Sequence, residues 1–280
     1  MSSPELSPSD AERFRAFERQ RHDTLAASYH DFFTPVTALA FDPLFDAVGL
    51  RTGMSVLDVA TGPGSLAAAA KARGAEPVGI DLSPGMIELA RKLYPGIEFR
   101  VAEVERMPFP DGRFDAAICN FAIGHFPFPE ASVAECARAV KPGGRVAFSW
   151  WDDPSRQRIQ GLFREAILEV GASPPPDVPT GYSILRFSDS DEFRRLLQGA
   201  SLSDVAVKVH QTTYLVPDVE TLWRGGLGSF AVTASAIAHQ SEATQQAIRA
   251  ALERRAAAYR TAGGLKLPVS FKVAAGRKPV

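Results

Sequence analysis

The run Val56-Leu57-Asp58-Val59-Ala60-Thr61-Gly62-Pro63-Gly64-Ser65 puts an acid inside an apolar segment and two glycines just beyond it. A strand that ends in such a turn and leads into a helix lets the backbone approach a ligand that a Cβ would push away. The helix start adds free N–H groups for polar or anionic ligand atoms. The next apolar segment ends in Gly79-Ile80-Asp81, and a carboxylate there can accept from both hydroxyls of a ribose. A further acid, Glu103, follows the third such segment in Val101-Ala102-Glu103-Val104-Glu105. Together these residues have the chemistry to hold a nucleoside-containing ligand.

Two cofactors compete for this pattern. Gly62-x-Gly64-x-x-Ala67 satisfies the loose dinucleotide fingerprint, with an acid further on. An NAD(P)-dependent oxidoreductase is therefore one alternative. Asp58 favours S-adenosylmethionine instead. A carboxylate buried in a strand needs a partner, and an amino group supplies one directly or through water, whereas a pyrophosphate is repelled. Glu103 is placed to take an adenine amino group. No Tyr-x-x-x-Lys pair occurs in the chain, so the proton-relay dyad of one large dehydrogenase class is missing.

The elements that must position these residues alternate at crossover spacing. Strands are expected at 54–60, 76–81, 97–102, 114–121 and 145–151. Helices are expected at 65–74, at 83–95 behind Ser83 as N-cap and Pro84 at the first helical position, and at 129–144, closed by Lys-Pro-Gly-Gly. That pattern predicts an α/β fold, a Rossmann-like, doubly wound, mostly parallel sheet. Residues 10–33 carry Phe14, Phe17, Leu25, Tyr29, Phe32 and Phe33 at helical spacing, and Asp42-Pro43 leads into another short helix. Beyond Trp151, helices are expected at 155–170, 189–199, 218–230 and 241–260. Strands are expected at 203–211 and 267–279, and the Pro-rich 172–179 reads as a loop.

Four segments in order, VLDVATGPG, GIDLSPGMIELAR, AEVERMPFPDGRFDAAICNFAIGHF and VKPGGRVAFSWW, resemble a class I S-adenosylmethionine-dependent methyltransferase. They are most similar to the branch of ubiquinone and menaquinone biosynthesis and of small-molecule methyltransferases in bacterial natural-product pathways. The resemblance covers residues 54–151 and implies a seven-stranded sheet with helical lid insertions. It implies that Asp58, Gly62 and Gly64 hold the methionine part and the ribose side, and that Asp81 binds the ribose hydroxyls. Leu82 and Met86 flank the adenine. Glu103 stands where the branch usually has Asp, and Val104 where it usually has a small Ala. Asn120 ends the fourth strand, where the sulfonium side meets the acceptor pocket.

Methyl transfer from a sulfonium is an in-line displacement with a good leaving group, so positioning supplies much of the acceleration. Phenols and carbon acids also need a base. His125, after the fourth strand, is the first candidate for that base, against a packing or substrate-contact role. His30 is the second. Tyr29 beside it is a candidate cap over the sulfonium or substrate. Phe33, Phe121, Trp151 and Trp223 are candidate walls for an acceptor. Strand alternation places one of Trp150 and Trp151 on the pocket and the other in the core.

The expected organisation is an N-terminal helical cover at 1–45. The methyltransferase core spans 46–152, 189–210 and 266–280, and helical lid insertions span 153–188 and 211–265. The 280 residues carry 31 Lys+Arg against 32 Asp+Glu, a net charge of −1, which argues against nucleic acid as partner and against a polybasic membrane surface. No apolar run reaches the roughly 18 residues of a membrane helix, and the polar N-terminus carries no apolar signal segment. Cys119 and Cys136 read as buried small hydrophobes of a reduced, cytoplasmic protein. No metal is expected. The predicted activity is methylation of a small organic acceptor, secondary-metabolite or quinone-like, on oxygen, carbon or nitrogen, by a monomer or homodimer. A non-catalytic cofactor-binding regulator on the same fold is the remaining alternative.

Overall fold

The computed structural model describes residues 6–172 and 184–280. In chain order the elements are α1 (Pro8–Ser28), α2 (Thr34–Thr37), α3 (Phe41–Val48), β1 (Ser55–Val59), α4 (Ser65–Ala72), β2 (Glu76–Asp81), α5 (Pro84–Leu93), β3 (Glu98–Val101) and β4 (Phe114–Cys119). They continue with α6 (Pro129–Ala139), β5 (Val140–Trp151), α7 (Arg158–Val170), α8 (Ser190–Gly199), β6 (Ser203–Val216), α9 (Val219–Leu227), α10 (Ala231–Ala238), α11 (Glu242–Ala256), β7 (Arg260–Thr261) and β8 (Gly264–Arg277). The sheet order is β3-β2-β1-β4-β5-β8-β6, with the two-residue β7 pairing β8 off that path.

β1 through β5 are parallel, and the central strand β1 is covered by helices on both faces. That is why β1, Ser55–Val59, is buried at every position rather than alternating. β8 reverses direction and lies antiparallel between β5 and β6. The strand order reverses between β1 and β4, the switch point where ligands of such sheets bind at the carboxyl ends.

Local chemistry sets the helix starts. Ser7 caps α1, its Oγ accepting from the Asp10 N–H at 3.1 Å, with Pro8 in the first turn. Ser83 caps α5 in the same way, accepting from Met86 N–H at 3.0 Å. Between α1 and α2 the chain makes one wider turn over Tyr29–Phe33, which swings the aromatic residues there onto the sheet.

Several boundaries differ from the sequence expectation. The helix expected at 129–144 stops at Ala139, and the Lys-Pro-Gly-Gly segment belongs to β5. There the pairing with β4 shifts from Phe114↔Val140 to Ala116↔Arg145, so Pro142 sits in a bulge and costs no ladder bond. β6 runs on to Val216, so 211–216 and 264–265 belong to the sheet rather than to the insertion at 211–265. The segment 218–230 is a helix only to Leu227, and a separate α10 follows. Of the Pro-rich segment 172–179 only Ala172 is described. Among the described residues no helix is long and apolar enough to cross a membrane.

Candidate active site

One cavity opens at the carboxyl ends of β1, β2, β4 and β5, under α1 and the chain that follows it. It is lined by Asp58, Gly62, Asp81, Leu82, Met86, Glu103, Val104, Asn120, Phe121, His125 and Trp151 from the sheet side, and by Tyr29 and Phe33 from the cover. Most of the sequence candidates are therefore brought together.

Asp58 is buried in β1. Its Oδ2 accepts from Thr61 Oγ1 at 2.6 Å and from Ala67 N–H at 2.9 Å. These bonds tie the strand to the turn and to the first turn of α4. Oδ1 has no partner among the described residues. Burial pushes the carboxyl up to about 7, although the Thr61 and Ala67 bonds pull it down. An orphaned acceptor on the cavity wall fits an ammonium group. Asp81 closes β2, accepting from Gly62 N–H at 2.9 Å through Oδ2 and from Ser83 N–H at 2.9 Å through Oδ1. Burial raises its carboxyl as well, and each oxygen keeps a lone pair for a hydroxyl.

The two glycines of the turn have different jobs. Gly62 has a left-handed φ of +54° and open space where a Cβ would stand. Gly64, at φ +84°, does not line the cavity; a Cβ there would lie 2.7 Å from the Phe99 ring. The space a Cβ would need there is filled by close packing of the turn against β3 and α5. Both positions favour glycine, for different reasons.

Asn120 is fixed from both sides. Its Nδ2 donates to Thr37 O at 3.1 Å, and its Oδ1 accepts from Ser149 Oγ at 2.7 Å. Ser149 Oγ in turn accepts from Phe121 N–H at 2.9 Å, which holds Phe121 at an unusual φ of +53°. The Phe121 ring then stacks on Trp151, with Phe33 packed beside it at 5.4 Å from Trp151. Trp150 points the other way, donating from Nε1 to Ile184 O at 2.8 Å, as strand alternation requires.

Besides Gly64, two candidates fall outside the cavity lining. His30 is off the stripe of Tyr29, Phe33, Thr34 and Thr37 that faces it. Trp223 stacks on Phe163 at 5.9 Å, behind Phe230, because α9 packs on α7. Phe230, between α9 and α10, takes the lining position.

Sequence reasoning missed the polar face of α1. Arg15, Glu18, Arg19 and His22 line the cavity from this helix. Glu18 is buried and accepts at 3.2 Å from His125 Nδ1, and its other oxygen lies 3.4 Å from His22 Nδ1. Burial tends to raise the Glu18 carboxyl, but the charge and hydrogen bond of His125, and the charge of His22, hold it below the usual range. Burial tends to lower His125, and Glu18 overcomes this and raises it. The only trace of this face in the sequence is the three- and four-residue spacing of 15, 18 and 22.

Residues 57–148 match the model of a methyltransferase domain family. A demethylmenaquinone methyltransferase of Beutenbergia cavernae is 30% identical over 177 residues, covering 60% of this chain and 73% of that protein. A ubiquinone biosynthesis O-methyltransferase of Alkalilimnicola ehrlichii is 38% identical over 141 residues, 48% of this chain and 57% of its own length. Among solved structures, phosphoethanolamine N-methyltransferase 2 of Haemonchus contortus, with S-adenosylhomocysteine bound, matches in fold with a TM-score of 0.59 at 18% identity, over 95% of this chain and 60% of that one. The nicotinamide alternative finds no support among these relatives. A buried acid with one unpartnered oxygen on β1, a second buried acid closing β2 and this kinship agree, and the chain belongs to the class I S-adenosylmethionine-dependent methyltransferases.

Proposed function

We propose that the enzyme methylates a small planar acceptor bearing an ionisable hydroxyl, of the hydroquinone kind. The observation that carries this reading is the stacked pair Phe121 and Trp151 beside Asn120, on the wall of the same cavity as Asp58 and Asp81. Flat aromatic walls hold flat acceptors by offset or edge contact, and Phe33 and Phe230 continue the wall. The names of the matched relatives, which act on demethylmenaquinone or in ubiquinone biosynthesis, point to the same acceptor chemistry. A secondary metabolite with such a ring would satisfy the site equally.

S-adenosylmethionine, when bound, supplies an electrophilic methyl group on a sulfonium. In this reading Asp58 Oδ1 accepts from its amino group and Asp81 from the ribose hydroxyls. Gly62 gives the backbone room to approach. Leu82, Met86, Glu103 and Val104 surround the adenine, and Tyr29 and Asn120 face the sulfonium side. His125 takes the acceptor proton. Of the expected cover at 1–45, the described residues 6–45 lie over the site, and the insertions after β5 and β6, through Gln160, Phe230 and Ala231, roof the acceptor. Exclusion of water and fixed geometry then supply most of the rate. The near-neutral charge supports a small acceptor over a nucleic acid. The buried free thiols of Cys119 and Cys136 support a reducing, cytoplasmic setting.

The test is transfer of a labelled methyl group to 1,4-naphthohydroquinone kept reduced with dithionite. Labelled product that extracts into organic solvent is expected. Stabilisation by S-adenosylhomocysteine without any product would overturn the acceptor class. No stabilisation would overturn the assigned cofactor residues.

A further inference from the structure

We propose that Glu18, carried into the cavity by α1, positions His125 as the proton-accepting group of the transfer, so that this base is complete only while α1 lies across the site. The inference rests on the function proposed above and adds a residue and a coupling to it.

The geometry is direct. Glu18 is 4% exposed, yet its carboxylate faces a cavity rather than a basic core. A buried carboxylate persists only with charged or hydrogen-bonded partners. His125 Nδ1 bonds one oxygen at 3.2 Å; the other has no hydrogen-bond partner among the described residues and lies 3.4 Å from His22 Nδ1, which donates to the Glu18 backbone carbonyl at 2.9 Å. The His22 ring also meets His125 edge to face at 5.7 Å. An ionised carboxylate only accepts, so His125 donates its Nδ1–H and keeps its lone pair on Nε2. The remaining charged groups around the pair are Arg15 and Arg19 on the same helix and Asp81, Glu103 and Glu105 from the sheet side. Of these, Arg15 is committed to Glu105 at 3.5 Å.

Glu18 and His125 come from elements far apart in sequence, and what seats α1 is also visible. Asp23 Oδ1 accepts from Ser83 Oγ and, at 2.9 Å, from Gly85 N–H, at the start of α5 and two residues beyond Asp81. Ser28 Oγ donates to Gly228 O at 2.6 Å on the opposite side. The helix that brings Glu18 is thus fastened to the segment that carries the ribose-binding acid.

In the step itself, the acceptor O–H proton passes to His125 Nε2. The oxygen electron pair forms the new bond to the methyl carbon, and the pair of the broken C–S bond leaves with sulfur. The imidazolium is held by Glu18 until it returns its proton to water. Glu18 touches none of the reacting atoms and is a positioning residue.

The experiment compares wild type, Glu18→Gln and Glu18→Asp, each saturated with S-adenosylhomocysteine, by NMR titration of the His125 imidazole, assigned with His125→Asn. The same proteins are then assayed with 1,4-naphthohydroquinone across pH. Glu18→Gln is expected to lower the His125 titration midpoint and to move the acidic limb of kcat to lower pH. It should also cut kcat at high pH by roughly tenfold or more, while cofactor-product affinity stays within about twofold. Glu18→Asp should restore part of each. An unmoved imidazole midpoint in Glu18→Gln overturns the proposal, as does an affinity loss parallel to kcat, which marks a merely structural residue. A wild type that methylates no hydroquinone sinks the acceptor reading alone, and the imidazole titration still decides this one.

Discussion

Phe121 and Trp151 lie face to face, with 3.6 Å between ring centroids and planes inclined by 13°. The contact is made possible by the left-handed backbone at Phe121 and by Ser149, which bonds the Phe121 N–H from the neighbouring strand. Trp151→Ala removes one wall of this pair. It should raise KM for a naphthohydroquinone and lower stability by about 3–5 kcal/mol, with S-adenosylhomocysteine affinity retained. Trp151→Phe should recover most of both. Steady-state kinetics beside thermal unfolding separate the two effects, and an unchanged KM would remove Trp151 from the acceptor wall.

Asp58 makes cofactor affinity depend on pH. Its carboxyl titrates near 7 in the free protein because burial outweighs its bonds to Thr61 and Ala67. A bound ammonium favours the charged form and lowers that value, so binding releases a proton. Affinity for S-adenosylhomocysteine should therefore be pH-independent well above 7 and weaken as pH falls through it, approaching about tenfold per unit. Asp58→Asn should bind weakly at every pH and flatten that slope. Calorimetry from pH 5.5 to 8.5 reads both. Asp81, also raised by burial, contributes in the same direction.

Asp81→Ala removes two acceptor oxygens and leaves the Gly62 and Ser83 N–H groups without their partner. At about 1–3 kcal/mol for each buried bond lost, S-adenosylhomocysteine affinity should fall at least tenfold. An unchanged calorimetric affinity would refute the ribose assignment.

The two glycines of the turn should separate under substitution. Gly64→Ala drives a Cβ to 2.7 Å from the Phe99 ring and strains the backbone. It should cost roughly 1–3 kcal/mol of stability. Gly62→Ala meets open space and should cost about 1 kcal/mol through its backbone alone, while its methyl intrudes on the ligand. Unfolding midpoints should therefore fall most for Gly64→Ala, and cofactor affinity most for Gly62→Ala.

The central sheet was legible because buried parallel strands write themselves as short apolar runs between turn signals, as 54–60 and 76–81 do. The acids Asp58 and Asp81 were legible because their places follow from those strands. Glu18 was not, since it sits mid-helix among Arg and Gln residues, and its partner His125 is reached only through the fold. Trp223 looked like a lining residue because sequence shows an aromatic on an insertion but not which layer it joins. Stacked on Phe163, it supports Phe230 instead. The end of helix α6 was misplaced because Pro-Gly-Gly stops helices and also makes bulges, and only the pairing of β5 with β4 decides between them.

β8 lies inside the sheet, between β5 and β6. Its partners on both sides are antiparallel, so loss of Gly264–Arg277 would not trim a rim. It would leave β6 with no neighbour and lay bare the backbone of β5. Two raw edges rich in Val and Ala invite pairing between molecules. Nicking or misplacement of this one strand should therefore surface as self-association together with a disturbed acceptor wall, because its Phe271 pairs with Trp151 and meets the Phe121 ring edge to face at 5.7 Å.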